Sequence, residues 1–288
     1  NTILIVKLLD ETLYGTFRIL TSMVVIFMEI SNLGILQTFT RSAIDAFNSG
    51  NSSFFTGYLK VVRRFYYIQS LVASLVIFFY GVRQIPNSEH LIPMILFVIL
   101  SGLSFLVGQY WIHLVYASGK TMYWFSYLTL QHFIKLIGFI LFLQIFPLGL
   151  WGAMLAHFLC FFISAGFACI SWLKIKKEHP LESASNPPMN FSLKFHLTFG
   201  VSHFLSTEGI NFTGELIVLM LNFCQIPVED IGKAGLALSI YYMFSNILSV
   251  IANYIYPALP KLHAQGDIRS MEQRLEAQVM GATFLAWL

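Results

Sequence analysis

The polar residues of this chain that could do chemistry lie inside otherwise apolar stretches and recur at helical spacing. The four stripes are Arg18, Ser22, Glu29 and Asn32; Tyr127, Gln131, His132 and Lys135; Glu208, Asn211, Glu215 and Asn222; and Ser239, Tyr242, Asn246, Ser249 and Asn253. Spacings of three, four and seven residues place the first, third and fourth stripes each on one helix face, and the second follows Tyr127 within about two turns. Together the stripes could line a hydrated cavity. For Ser and Asn the alternative is hydrogen bonding between helices, at about 0.6 kcal/mol per pair.

The ionisable residues of these stripes suggest more specific roles. Lys135 and Glu29 lie near the middle of their stretches, where a charge costs at least about 2.5–3.5 kcal/mol, so we predict that they face a cavity or a buried partner. Glu208 and Glu215 are candidates for proton coupling, because a buried carboxyl group can bind a proton near neutral pH. Arg18 is close to one predicted membrane interface, and we expect its guanidinium to snorkel into the headgroup layer.

These stripes predict a substrate cavity. The motifs of metal, nucleotide and hydrolase sites are not found in the sequence. The predicted cavity residues are Lys135, Gln131, Glu29, Asn32, Asn211 and Asn246, with Glu208 and Glu215 as proton-coupling candidates. The histidines form neither an HExxH motif nor an i, i+4 pair, so we interpret them as packing or hydrogen-bonding residues. We predict no metal site, no catalytic residue and no cofactor. Walker loops, nucleophile elbows and dinucleotide fingerprints are lacking as well.

The composition of the chain is that of an integral membrane protein. Hydrophobic residues make up 57% and charged residues 11% of the sequence, and the mean hydropathy is +0.71. Soluble domains carry about 25% charged residues. The net charge of +3 does not argue for nucleic acid as a partner when most of the surface lies in lipid.

A bilayer core about 30 Å thick needs roughly 20 apolar residues per helix, and this length divides the sequence into spans. The predicted spans are 14–38, 64–84, 91–116, 122–146, 149–174, 197–224 and 233–259, with the tail of a helix at 1–9 and the start of another at 277–288. These runs are continuous rather than alternating, so they favour helices over a strand barrel. We predict an all-α fold.

Most of the 17 Lys and Arg residues fall in alternate loops, which predicts the topology. Because basic loops are retained in the cytoplasm, the N-terminus is expected to be cytoplasmic. The opposite loops are short and leave no room for an extramembrane catalytic domain, so we predict that the protein is not an enzyme.

A weak internal repeat relates residues 14–60 to residues 231–276. Gly15 matches Gly232 at an offset of 217, and Gly50 matches Gly266 at an offset of 216. An offset that spans six helices predicts two six-helix lobes related by an axis along the membrane normal. The predicted parts are an N-terminal lobe (1–175), a cytoplasmic linker (176–194) and the start of a C-terminal lobe (195–288), with both ends truncated. Residues 42–60 and 260–276 are the expected interfacial helices.

The motifs within this repeat resemble a known superfamily. "LLDETLYGTFRILTSMV", with "SNLGILQTFTR" after it, is paralleled by "VEDIGKAGLALSIYYMFSNIL" and "YPALPKLHAQGD". An acidic residue before Gly15 or Gly232, and Pro257 and Pro260 at the end of the later span, resemble the polysaccharide-transporter branch of the multidrug/oligosaccharidyl-lipid/polysaccharide flippase superfamily. This resemblance covers nearly the whole chain, and its motifs concern fold and topology rather than chemistry.

The resemblance implies a MATE-like fold and a function in O-antigen, lipopolysaccharide or other surface polysaccharide biosynthesis. The expected substrate is a polyprenyl-linked oligosaccharide in the bacterial inner membrane, moved by alternating access. Membrane lipid, and a proton or sodium ion for coupling, are the other expected partners. The alternatives are a cation-coupled multidrug exporter of the same superfamily, favoured by Glu29, Glu208 and Glu215, and an oligosaccharide polymerase, disfavoured by the short outer loops.

Overall fold

A computed structural model of the chain describes most of its predicted membrane spans. The described residues are 2–32, 34–48, 52–84, 90–178, 198–202, 204, 209–255 and the single positions 269, 273 and 276. All regular structure within these ranges is helical, which confirms the predicted all-α class. Residues 1–234 form one compact unit and residues 235–288 a second, and the two are described separately.

Nine helices are numbered here in chain order. They are α1 (Thr2–Leu8), α2 (Glu11–Asn32), α3 (Ile35–Asn48), α4 (Ser52–Gln84), α5 (Leu91–Ala117), α6 (Thr121–Phe139), α7 (Gly149–Glu178), α8 (Gly209–Phe223) and α9 (Val228–Ile255). Residues 198–202 are helical as well. A π-helical segment, Ile140–Ile145, continues α6 without a break.

Five helical segments of the described chain are long and apolar enough to cross a membrane. They are Glu11–Asn32, Leu59–Arg83, Leu91–Ala117, Thr121–Ile145 and Gly149–Lys177. The last four agree closely with the predicted spans. The protein therefore has the architecture of a multi-pass membrane protein.

The first predicted span, 14–38, is wrong at its C-terminal end. The helix α2 ends at Asn32, and Gly34 adopts a left-handed backbone with φ of +69°. A side chain is excluded at Gly34 because its Cβ would overlap the carbonyl oxygen of Gly200. The Asn32 side chain then accepts a hydrogen bond from the Leu36 amide at 3.3 Å, at the start of α3.

The interfacial helix predicted at 42–60 is shared between two helices of the structure. Its first part belongs to α3, and residues 52–60 are the beginning of the long helix α4. On α3, the Thr40 hydroxyl lies 2.7 Å from Nδ1 of His113 on α5, and this contact ties α3 to the bundle.

Helix α5 is central in the first unit, where it contacts α2, α3, α4, α6 and α7. Helix α2 packs between α5 and α8. Its side chains Met23 and Phe27 are fully buried there, while α4 exposes apolar residues such as Tyr67, Leu71 and Phe79. Apolar residues are buried where helices meet and are exposed on the surface available to lipid.

The described part of the second unit is the remainder of α9 and three positions beyond it. Within α9, the Ser239 hydroxyl donates a hydrogen bond to the Gly235 carbonyl at 2.9 Å. Arg269, Gln273 and Glu276 are helical and exposed. Their spacing of four and three residues places them on one face, in agreement with the polar helix predicted at 260–276.

Candidate functional site

A buried ion pair joins α2 to α8. Nη2 of Arg18 donates to Oε1 of Glu215 at 2.6 Å, and the two side chains are only 11% and 4% exposed. The Ser22 hydroxyl lies 2.7 Å from the other carboxylate oxygen, Oε2. Both oxygens of Glu215 therefore have partners on α2.

The structure contradicts one expectation about these residues and agrees with another. The expectation that Arg18 snorkels is wrong, because Glu215 provides the guanidinium with a charged partner inside the bundle. Arg18 and Ser22 lie one helical turn apart on α2, as their spacing predicted, and together they hold the carboxylate.

Lys135 of α6 lies near this pair and brings a second cation. Its Nζ is 5.9 Å from the centroid of the Phe139 ring, a cation–π distance. Phe139 contacts Phe17 edge to face at 6.2 Å, and Phe17 is adjacent in sequence to Arg18. Lys135 is also close enough to interact electrostatically with Arg18 and Glu215.

His157 of α7 completes the surroundings of this site. Its ring lies edge to face against Phe17 at 5.9 Å and against Phe161 at 4.9 Å. The side chain is 5% exposed, and neither ring nitrogen has a hydrogen-bond partner within the described residues.

The four ionisable residues of this site lie at a similar depth. Arg18 is seven residues from the start of α2 and Glu215 is eight residues from the end of α8, or about 10–12 Å along each axis. Lys135 and His157 lie ten and eight residues from the neighbouring ends of the α6 π segment and α7. These helix ends, around residues 11–14, 145–149 and 223–230, are called the Glu11 end.

The charges of this site do not cancel. Arg18 and Glu215 neutralise each other, and Lys135 has no carboxylate within salt-bridge distance among the described side chains. When Lys135 is protonated, it gives the site a positive charge that the aromatic and apolar surroundings screen weakly. The site is therefore suited to attract an anionic group.

The helices α2 and α9 are in direct contact at the Glu11 end. The Thr12 hydroxyl donates to Oε1 of Glu229 at 2.8 Å. Nζ of Lys233 lies 3.8 Å from Oε2 of Glu11 and 3.3 Å from Oδ1 of Asp230, with all three side chains exposed.

Two glycines allow this close approach. A Cβ on Gly15 would overlap the Val228 carbonyl oxygen, and a Cβ on Gly232 would lie 3.3 Å from the Cα of Gly15. Small residues at helix crossings let two backbones approach closely in membrane bundles.

Glu229 has a lowered pKa at this contact. The causes are a hydrogen bond from its own backbone amide, in the first turn of α9, and the hydrogen bond from Thr12. Both favour the charged carboxylate, so the contact is strongest when Glu229 is ionised.

The other predicted cavity residues divide between two places. Gln131 lies one turn from Lys135 on α6. Glu29 and Asn32 lie at the opposite end of α2 from Arg18, and there Asn32 accepts a hydrogen bond from the Tyr66 hydroxyl at 3.2 Å. Eleven residues separate Arg18 from Glu29, about 16 Å along the helix, so the stripe on α2 serves two separate polar groups.

Some predicted site residues lie outside the described structure. They are Glu208 and the side chains of Asn211 and Asn246. Most of the predicted linker, 179–194, lies there too, as do Gly50 and Gly266 of the repeat.

One feature of the sequence could have predicted the Arg18–Glu215 ion pair. Arg18 and Glu215 have opposite charges and lie at nearly equal distances from helix ends on the same side of the membrane. Opposite charges at equal depth in the membrane are candidates for an ion pair, even when they are far apart in the sequence.

A comparison of this chain with protein-family models, with curated proteins and with solved structures finds no match. Functional inference therefore depends on the residues and on the geometry described above.

Proposed function

We propose that this chain belongs to a flippase that moves a polyprenyl-linked oligosaccharide across the bacterial inner membrane by alternating access. The large polar headgroup of such a lipid cannot cross hydrocarbon, whereas its polyprenyl tail can remain in the bilayer. The observation that carries the proposal is the uncompensated charge of Lys135 beside the Arg18–Glu215 pair. A cation inside a membrane span is expensive and marks a pathway for ions or substrates.

In this proposal Lys135 attracts the phosphate groups or acidic sugars of the headgroup. Lys suits this task as a compact charge on a flexible stem that can follow a moving anion. The Arg18–Glu215 pair fixes α2 against α8 beside the pathway.

The contacts at the Glu11 end support the two-lobe repeat on which alternating access depends. Thr12 and Glu229 are separated by 217 residues, the same offset as Gly15 and Gly232, and both pairs are in contact. Residues related by a two-fold axis meet in this way only close to the axis. The axis would pass close to these two contacts, and the Glu11 end would face away from the cytoplasm.

The same geometry bears on the alternative, a cation-coupled exporter. Such a protein needs acidic groups that are available to a cationic substrate or a coupling ion. Both carboxylate oxygens of Glu215 are already used by Arg18 and Ser22, which favours an anionic substrate.

The test uses the full-length gene, deleted in its host and complemented with variants. Loss of the protein should cause polyprenyl-linked glycan to accumulate on the cytoplasmic leaflet. Wild type and Lys135→Arg should restore export, and Lys135→Ala should not. Glu208→Gln tests proton coupling in the same assay. Lys176→Ala is the matched control, since it removes an exposed cation in the last turn of α7, away from the site. Normal surface glycan in the deletion strain, with raised sensitivity to cationic drugs, would favour the exporter.

A further inference from the structure

A seam of buried polar side chains lies between α5, α6 and α7. Its residues are Ser101 on α5, Tyr127 and Gln131 on α6, and His157, Cys160 and Ser164 on α7. Five of these six carry a buried polar atom with no hydrogen-bond partner within the described residues. The atoms are the hydroxyls of Ser101, Tyr127 and Ser164, Nε2 of Gln131 and both ring nitrogens of His157.

These side chains lie at three successive levels, beginning beside Lys135. At the first level His157 packs against Phe97 of α5, with ring centroids 6.0 Å apart. One turn further along come Cys160 and Gln131, beside the Phe105–Phe161 contact at 5.2 Å. The Cys160 thiol donates to the His157 carbonyl at 3.0 Å.

The third level is set by the hydroxyl of Tyr127, which lies between α5 and α7. A Cβ on Gly108 would be 2.6 Å from this hydroxyl and 3.3 Å from the Cα of Ala165, so only glycine leaves it room. Ser164 is the neighbour of Ala165 on α7. Gln109 and Gln131 lie near the hydroxyl but are not in hydrogen-bonding geometry. From His157 to Ser164 the seam extends about 10 Å along α7.

The mixture of donors and acceptors identifies what the seam would hold. Hydroxyl groups donate and accept, the Gln131 amide nitrogen donates, and an imidazole offers one nitrogen of each kind when neutral. One nitrogen of a neutral His157 ring can only accept, so an anion would leave it unpaired, and a metal ion would leave the donating Gln131 amide nitrogen unpaired. A cation is further disfavoured by Lys135 at one end. Water is small, donates and accepts, and satisfies buried polar groups in protein interiors.

We propose that ordered water molecules occupy the α5–α6–α7 seam from His157 to Tyr127. They hydrogen-bond the imidazole, the Gln131 amide and the hydroxyls of Tyr127 and Ser164. This water reaches the side of α6 that carries Lys135 and solvates its ammonium group inside the span. The inference depends only on the packing of α5, α6 and α7 and is independent of the proposed flippase function.

Radiolytic footprinting of the full-length protein in lipid nanodiscs tests this directly, with bound water itself as the probe. Millisecond X-ray pulses convert bound water to hydroxyl radicals, which oxidise the side chains that they touch. We expect Tyr127 and Cys160 to be oxidised severalfold faster than Met23, which is fully buried among apolar residues. Met23 is a strict control because its thioether is readily oxidised. If Tyr127 and Cys160 are oxidised no faster than Met23, the proposal is overturned.

A second measurement uses Tyr127→Phe and the melting temperature of the same preparation. In a hydrated seam the hydroxyl is satisfied by water, and its removal lowers the melting temperature. In a dry seam the hydroxyl is buried without a hydrogen-bond partner and destabilises the fold. Its removal would then leave the melting temperature unchanged or raise it, and either result would contradict the proposal. If the variant does not fold, the footprint of the wild-type protein decides the question.

Discussion

Arg18 and Glu215 lie 197 residues apart in the sequence, yet their side chains meet at 2.6 Å inside the helical bundle. The contact connects the first long helix of the chain with a helix that follows α7 and the predicted linker. Ser22 adds a second bond to the same carboxylate. The α2–α8 interface is therefore held by a buried electrostatic contact as well as by apolar packing.

Removal of one partner of this pair should be strongly destabilising. Arg18→Leu leaves the Glu215 carboxylate buried and uncompensated, and we expect a loss of about 3–5 kcal/mol in the free energy of unfolding. The double variant Arg18→Leu with Glu215→Leu should recover most of that loss, because neither member of the pair is left buried without its partner. A double-mutant cycle on the purified protein measures the coupling. Additive effects of the two single changes would argue that the pair does not form.

Ser22→Ala should cost less than the loss of a charge but more than an ordinary hydroxyl deletion. A hydrogen bond to a charged group contributes about 1.5–3 kcal/mol. The matched control is Ser70→Ala, since the Ser70 hydroxyl bonds only the Tyr66 carbonyl of its own helix at 2.6 Å. Chemical denaturation of both variants compares them. Equal losses for the two variants would mean that the Ser22–Glu215 contact adds nothing.

Gly15→Ala should disrupt the contact of α2 with α9 at the Glu11 end. Its methyl group would overlap the Val228 carbonyl oxygen, and relief of such overpacking costs about 1–3 kcal/mol. Gly166→Ala is the control, because no atom lies within 4 Å of a Cβ at that helical position. It should be neutral or stabilising by up to about 1 kcal/mol. Thermal unfolding distinguishes the two, and a neutral Gly15→Ala would contradict the close crossing.

The Thr12–Glu229 contact should weaken in acid. Because the pKa of Glu229 is lower in the folded protein, its contribution to stability is fully present above the unfolded pKa and is lost as the pH falls through the folded pKa. Glu229→Gln should therefore lower the melting temperature slightly at pH 7 and have no effect at pH values below the folded pKa. A difference between variant and wild type that persists in strong acid would contradict this.

The spans were the most predictable part of the fold, because their length and apolar character are set by the bilayer. The predicted span 122–146 differs by one residue at each end from the helical segment Thr121–Ile145. The break at Gly34 was not predictable, since it depends on the approach of the Gly200 backbone from far along the chain. The sequence around Gly34 is apolar enough to read as a continuous helix.

The candidate site was predictable only in part, because the polar stripes contained Arg18, Lys135 and Glu215 but did not show which of them meet. Helical spacing correctly put Arg18 and Ser22 on one face of α2. Spacing within one helix contains no information about which helix will lie opposite, so it missed the Arg18–Glu215 bond. The unpartnered His157 was read as an ordinary packing residue, because a single histidine in an apolar stretch gives no other signal.

The buried ion pair also has a consequence for how the protein is made. Arg18 leaves the ribosome 197 residues before Glu215, and at roughly 5–20 residues per second this is a delay of about 10–40 s. During that time the first long helix must enter the membrane with its guanidinium uncompensated, against an insertion penalty of up to about 3 kcal/mol. Apolar neighbours such as Ile19, Leu20 and Val24 must supply the hydrophobicity that moves the helix from the translocon into the bilayer. The nascent chain thus inserts α2 on hydrophobicity alone, and the charge is neutralised only after a further 197 residues have been made.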